Sequence, residues 1–170
     1  ADPHGASRAK TVTVPAFAAA LTTGYNINVA TTTLDSANAR TFASFTRGGG
    51  MGLDEMTGSP NLTIVPDPAT FRLLPWAPKV GWVLCDEYFT SGVPFHFSPR
   101  QVLRRQIRRL AERGMGSVIG LEIEWYLTRI ADPHLADEHT GNPGVRGRPL
   151  KTAPVEPGFS YHSETNMDLM

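Results

Sequence analysis

With 170 residues the chain has room for one domain or two small ones, and 41% apolar residues allow a packed core, which excludes disorder throughout. Its 16 basic residues balance 16 acidic ones, so the overall basic excess of a nucleic-acid binder is absent. The single cysteine, Cys85, excludes an internal disulfide and fits a cytoplasmic protein; no apolar run approaches the roughly 18–20 residues of a membrane span.

Residues 1–7 are small and polar, without the charged-then-apolar order of a signal peptide, and read as a tail. Pro15 suits the first turn of a short helix through Ala20 that ends near Gly24. Residues 25–45 are polar and threonine-rich, with no clean period. Residues 48–60 hold Gly48, Gly49, Gly50, Gly52, Gly58 and Pro60 and read as a flexible loop. A phosphate loop is disfavoured there, because no Lys-Ser/Thr pair follows and no clear strand feeds it into a helix. Residues 61–66 and 71–75 are short strand candidates. Residues 79–89 form a longer one, with Thr90-Ser91-Gly92 as a turn and residues 93–97 as the returning strand of a hairpin. Pro94 argues for an edge position.

Residues 98–113 have the pattern of an amphipathic helix. Ser98 is placed as N-cap, Pro99 stands where its missing N–H costs nothing, and Gly114 is placed to end the helix. Val102, Leu103, Ile107, Leu110 and Ala111 make an apolar stripe. Arg100, Arg104, Arg105, Arg108, Arg109 and Arg113 occupy the other face. That face is either solvated or meets acidic groups on another domain, and in a neutral chain these readings outweigh a nucleic-acid stripe. Residues 117–130 read as a second strong strand. Residues 132–159 are an aperiodic excursion rich in Pro, Gly and charge, in which His134 and His139 read as solvated. Residues 160–170 resemble the start of a helix, with Ser163 or Thr165 as cap.

The chemistry concentrates in Gly120-Leu121-Glu122-Ile123-Glu124-Trp125. On a strand, Glu122 and Glu124 share one face, and Ile119, Leu121, Ile123 and Trp125 share the other as core. Two strand steps separate the carboxylates by roughly 6–7 Å. At an effective dielectric near 20 their repulsion is on the order of 2–3 kcal/mol when both are ionised. An enclosed pair needs an offset, which a divalent cation such as Mg²⁺ supplies through carboxylate oxygens; an exposed pair is solvated by water and binds nothing. The five histidines lack tight ligand spacing. Cys85 reads as a small buried apolar residue.

Several segments, in order, resemble one family. Residues 62–72 (LTIVPDPATFR) and 74–78 (LPWAP) resemble the Val/Met-Pro-Asp segment of the glutamine synthetase family. Val83-Leu84-Cys85-Asp86, followed by Pro94 and residues 97–100, resembles that family's hairpin and first-helix start. Gly120-Leu121-Glu122-Ile123-Glu124-Trp125 resembles its Gly-x-Glu-x-Glu-Phe strand. Gly158-Phe159-Ser160-Tyr161 with Ser163-Glu164 resembles the approach to the next helix.

The resemblance implies an α+β fold. Residues 1–97 would be a β-grasp amino-terminal domain whose first strand seems absent, and residues 98–170 the truncated start of a glutamine synthetase-type catalytic α/β domain. It implies an ATP-dependent ligase in which a glutamate-type carboxylate is phosphorylated and the acyl phosphate is attacked by ammonia or an amine. Two divalent cations, Mg²⁺ or Mn²⁺, would hold the phosphates and the carboxylate. Glu122 matches the ligand of the metal near the nucleotide, and Glu124 that of the metal near the amino acid. It also implies a ring-forming homo-oligomer with sites shared between subunits.

Two departures stand out. An aspartate follows the phenylalanine of the Gly-rich loop in glutamine synthetases proper, where it reaches a neighbouring subunit's ammonium site. Here Phe45 is followed by Thr46 and Arg47, so that aspartate is missing and the acceptor reads as an amine rather than ammonia; Asp54 and Glu55 lie nearby without aligning to the role, and are candidates for a substrate-binding or neighbouring-subunit site. The family's later metal ligands and substrate arginines have no counterpart in these residues, so the chain alone is expected to be inactive. The rival reading is a non-catalytic module or pseudo-enzyme used in assembly.

Overall fold

The computed structural model describes Asp2 and residues 4–155; the resemblance at residues 158–164 and the helix start at 160–170 lie outside the described residues. The chain divides into two compact units, Ala1–Ser117 and Val118–Met170. The fold is mixed α/β, with no helix among the described residues long and apolar enough to cross a membrane.

The first unit is organised by a three-stranded antiparallel sheet of order β1-β2-β5, from Tyr25–Asn28, Asn61–Pro66 and Cys85–Phe89. Its register sets Leu62 against Ile27 on one side and Phe89 on the other. The period of two carries these side chains to one face. There they join Val29, Phe42, Met56 and Phe95 as the core. Phe95 meets Phe89 edge-to-face, with ring centroids 5.4 Å apart.

Helix α1 (Val14–Thr23) ends at Gly24, whose N–H donates to the Ala20 carbonyl at 2.9 Å. Gly24 has a φ of 71° and is pressed against the Thr63 side chain, so a Cβ has neither the backbone conformation nor the space it needs. Within the segment read as a tail, the chain turns at residues 4–5. The Asp2 carboxylate accepts the His4 and Ala6 N–H groups and pairs with Arg8.

Four expectations need correction. Residues 79–89 are two strands. β4 (Ala77–Trp82) pairs with β3 (Arg72–Leu74), while β5 belongs to the main sheet. At the break, the Leu84 N–H donates to Thr70 Oγ1 and its carbonyl accepts the Asp67 N–H, so the chain leaves one ladder before joining the other. The returning strand at 93–97 is a single bridge, Tyr88 to Pro94, because Pro94 has no N–H with which to continue a ladder.

The glycine loop is packed rather than free. Residues Arg47–Gly50 and Asp54–Met56 form tight turns, the Gly48 N–H donates to Thr57 Oγ1 at 2.8 Å, and Met56 is fully buried. A Cβ on Gly49, at φ 63°, would lie 2.8 Å from the Met56 Cβ. The fourth correction concerns residues 117–130, where among the described residues only β6 (Thr128–Ile130) pairs, antiparallel to β7 (Thr152–Pro154) in the second unit.

Candidate functional site

Glu122 and Glu124 lie in the second unit, in a stretch from 118 to 127 that forms neither helix, strand nor turn. Both are exposed. The face expected to pack is open as well: Leu121 is 86% exposed, Ile119 70% and Ile123 66%. A strand persists only where a neighbouring ladder takes its N–H and C=O groups, and among the described residues none lies beside this stretch. No group of three or more His, Cys, Asp or Glu side chains among the described residues is arranged to hold a metal ion. What Glu122 and Glu124 offer is two unengaged hard-oxygen donors one residue apart.

Asp54 and Glu55 lie in the first unit, on the exposed side of the tight turn whose inner residue is Met56. Asp54 meets Arg47 at 3.5 Å, and both side chains are exposed. Such a pair contributes at most about 1 kcal/mol. It does set Arg47, which stands two places after Phe45, against the acidic turn. Phe45 itself is 87% exposed.

The feature that sequence reasoning missed is a ring of four charges. Asp67 follows β2, Asp86 is in β5, and Arg100 and Arg104 lie one turn apart on α2 (Pro99–Ala111). Arg100 donates to Asp86 Oδ1 at 2.8 Å and to Asp67 Oδ2; Arg104 reaches Asp67 Oδ2 and Asp86 Oδ2, each at 2.8 Å. Each carboxylate thus binds both guanidiniums, and Asp86 is buried. Pro-Asp-Pro, Leu-Cys-Asp and Ser-Pro-Arg are three of the motifs that carried the family resemblance, and this is where they converge. The signal was present in the i, i+4 spacing of Arg100 and Arg104.

The rest of α2 is bare. Leu103 and Ile107 are exposed, and Arg105, Arg108, Arg109 and Arg113 make no ion pair with a described residue. Ser98 does not cap the helix with its side chain; its Oγ is buried without a partner, while its carbonyl accepts the Val102 N–H at 3.0 Å.

Beside Asp86, burial pushes the Cys85 thiol up, and the charges of Asp86 and Glu87 add to that rise. The thiol therefore stays protonated near neutrality and is a poor nucleophile. An open cleft of about 470 Å³, lined by Lys10, Thr23, Gly24, Tyr25 and Asn26, contains none of the candidate residues.

Comparison with known proteins finds relatives whose names are those of ligases, synthases and synthetases. No family model matches it. It is 39% identical to gamma-glutamylanilide synthase of Acinetobacter sp. over 99% of its own length and 34% of that protein's. It is 37% identical to glutamate–isopropylamine ligase of Pseudomonas sp., over 42% of this chain and 16% of that one. It is also 37% identical to glutamine synthetase of Methanosarcina mazei, over 41% and 16%. Among solved structures, ligand-free GmaS matches at 28% identity with a TM-score of 0.48, over 66% of this chain and 22% of that one. The chain thus spans about a third of the length of the relative that matches it throughout. It belongs to the glutamine synthetase family.

Proposed function

We propose that these residues are the amino-terminal part of a cytoplasmic ATP-dependent ligase that joins a glutamate-type carboxylate to an amine through an acyl phosphate. The observation that carries this reading is 39% identity with gamma-glutamylanilide synthase across 99% of the chain. On this reading residues 1–97 are the β-grasp domain and 98–170 begin the catalytic domain. The stretch 118–127 then becomes a strand once further sequence lies alongside it.

Glu122 would hold the divalent cation on the nucleotide side and Glu124 the one on the amino-acid side. Their donor chemistry fits Mg²⁺ or Mn²⁺, since both are exposed carboxylates with no ion pair to a described residue. Two carboxylates leave most of a six-coordinate shell to water, substrate and other side chains, so this chain alone is inactive. The bound cations supply charge neutralisation at the phosphates and polarisation of the carboxylate. Glu122 and Glu124 themselves fix where that positive charge sits.

The acceptor is an amine rather than ammonia, because Thr46 and Arg47 follow Phe45 where an ammonium-binding aspartate is expected. Residues 48–60, with Asp54 and Glu55, serve a neighbouring subunit's site in a ring-forming homo-oligomer.

The test is ADP release by the full-length protein with ATP, glutamate and either ammonia or a set of alkyl and aryl amines. Amine-dependent release exceeding that with ammonia is expected; no release with any acceptor overturns the reading. Amide formation by the 170-residue chain above a Glu122→Ala, Glu124→Ala control would refute its inactivity.

A further inference from the structure

Phe45 stands in water on a turn that is itself fixed. The Thr46 N–H donates to the Ala43 carbonyl at 3.0 Å and sets Phe45 at the third position of a β-turn, while the Ala43 N–H donates to the Gly49 carbonyl at 3.1 Å. Ser44, the other central residue, is buried; its carbonyl accepts the Gly58 N–H at 2.7 Å, and its Oγ accepts from Arg40 Nη1 at 3.4 Å. Phe42, one residue before the turn, belongs to the core. The turn is thus tied to the core and to the packed glycine loop. Phe45 nevertheless is 87% exposed, and its ring meets no other aromatic ring among the described residues.

A turn held in this way gains nothing from its largest side chain. Apolar surface stabilises a fold by leaving water, and this ring has not left it. The hydrogen bonds of Ala43, Ser44 and Thr46 keep the ring from folding back onto the core. The other polar loop does the opposite: between residues 131 and 151 the side chain of His139, expected from the sequence to be solvated, is 7% exposed beside Asp132. Phe45 is an aromatic side chain that the fold presents rather than uses, which is the form of a recognition anchor.

The chemistry of such a ring distinguishes one acceptor from another. A ring face attracts an ammonium ion only weakly in water, because the ion must shed its hydration to reach it. An apolar substituent gains by leaving water, and the amine that carries it attacks as the neutral free base, with its lone pair available.

We propose that Phe45 is the specificity-determining residue for the acceptor: in the assembled ligase its ring packs on the apolar substituent of the amine, an aryl or extended alkyl group, at the neighbouring subunit's site. This role rests on the reading of the protein as an amine ligase whose residues 48–60 serve that site, since Gly49 and Gly58 bond the turn to those residues. The ring touches the substituent and not the reacting nitrogen, so it sets which amine binds and leaves the chemistry at the acyl phosphate to other groups.

The experiment measures kcat/KM for methylamine, propylamine, butylamine and benzylamine, by ADP release, in the full-length protein and its Phe45→Ala and Phe45→Leu variants. In the wild type kcat/KM should rise along the series. In Phe45→Ala the preference for benzylamine over methylamine should fall on the order of tenfold or more, through KM for the amine rather than kcat. Phe45→Leu keeps an apolar side chain and should retain part of that preference. In urea the 170-residue chain should keep its unfolding midpoint in both variants, because the fold does not draw on the ring. A series that does not rise in the wild type, a preference unchanged in Phe45→Ala, or an equal loss for every amine each overturns the role of Phe45 while amine ligation stands. No turnover of any amine by the wild type overturns the ligase reading and this role with it. The wild-type series needs no variant, so the test survives failure of Phe45→Ala to assemble.

Discussion

β5 lies beside β2 and shares a ladder from Leu62–Phe89 to Pro66–Cys85, whereas the stretch 118–127 has no strand beside it among the described residues. β5 is covered: Phe89 is buried against Leu62, while Asp86 turns to the Arg100 and Arg104 guanidiniums. In 118–127 apolar and acidic side chains alternate, but Ile119, Leu121 and Ile123 stand open. Burial of such side chains is worth about 1.5–3 kcal/mol each, but only when a second layer covers them. A strand pattern is thus a demand for a neighbour, and the demand can go unmet within the chain that makes it.

The widest separation between the two regions should come from truncating their apolar side chains. Phe89→Ala should cost about 3–5 kcal/mol in urea unfolding of this chain. Leu121→Ala should change stability by no more than about 0.5 kcal/mol. In the full-length protein the second substitution should rise to about 2–5 kcal/mol if the stretch is covered there. Equal costs for the two in the isolated chain would erase the distinction.

A smaller effect separates paired from unpaired charge. Asp86→Ala leaves Arg100 and Arg104 sharing only Asp67 and should cost about 3 kcal/mol, because the group removed is buried. Arg109→Ala, on the bare side of α2, should stay within about 0.5 kcal/mol. The smallest effect tests whether the glycine loop belongs to the core region. Gly52→Ala carries only the left-handed backbone penalty of about 1 kcal/mol, since nothing lies near its missing Cβ. Gly49→Ala should cost about 1 kcal/mol more, through Met56.

Local signals were legible where the physics is local. Pro15 and Gly24 bracketed α1, Pro99 opened α2, and the apolar runs at 61–66 and 71–75 became β2 and β3. What could not be read depends on partners distant in the chain. The break at Val83-Leu84 exists because β4 and β5 pair with different strands. Glycines at 48–50 suggest mobility, yet positive φ and Met56 are what require them. Asp67 and Asp86 gave no sign of meeting Arg100 and Arg104, because a carboxylate's partner is set by topology. Glu122 and Glu124 were named from their spacing and motif, and among the described residues no further His, Cys, Asp or Glu side chain joins them in a group that could hold a metal ion.

The most direct test of the central claim is a metal titration of the full-length protein and its Glu122→Gln and Glu124→Gln variants, following turnover and melting temperature against Mg²⁺ or Mn²⁺. Each substitution keeps the side chain's shape and removes one ligand charge. Both variants should need more metal and lose most of their turnover. Without metal they should melt at or above the wild-type temperature, and the stabilisation gained on adding metal should shrink. Wild-type metal dependence in both variants would show that Glu122 and Glu124 are not ligands.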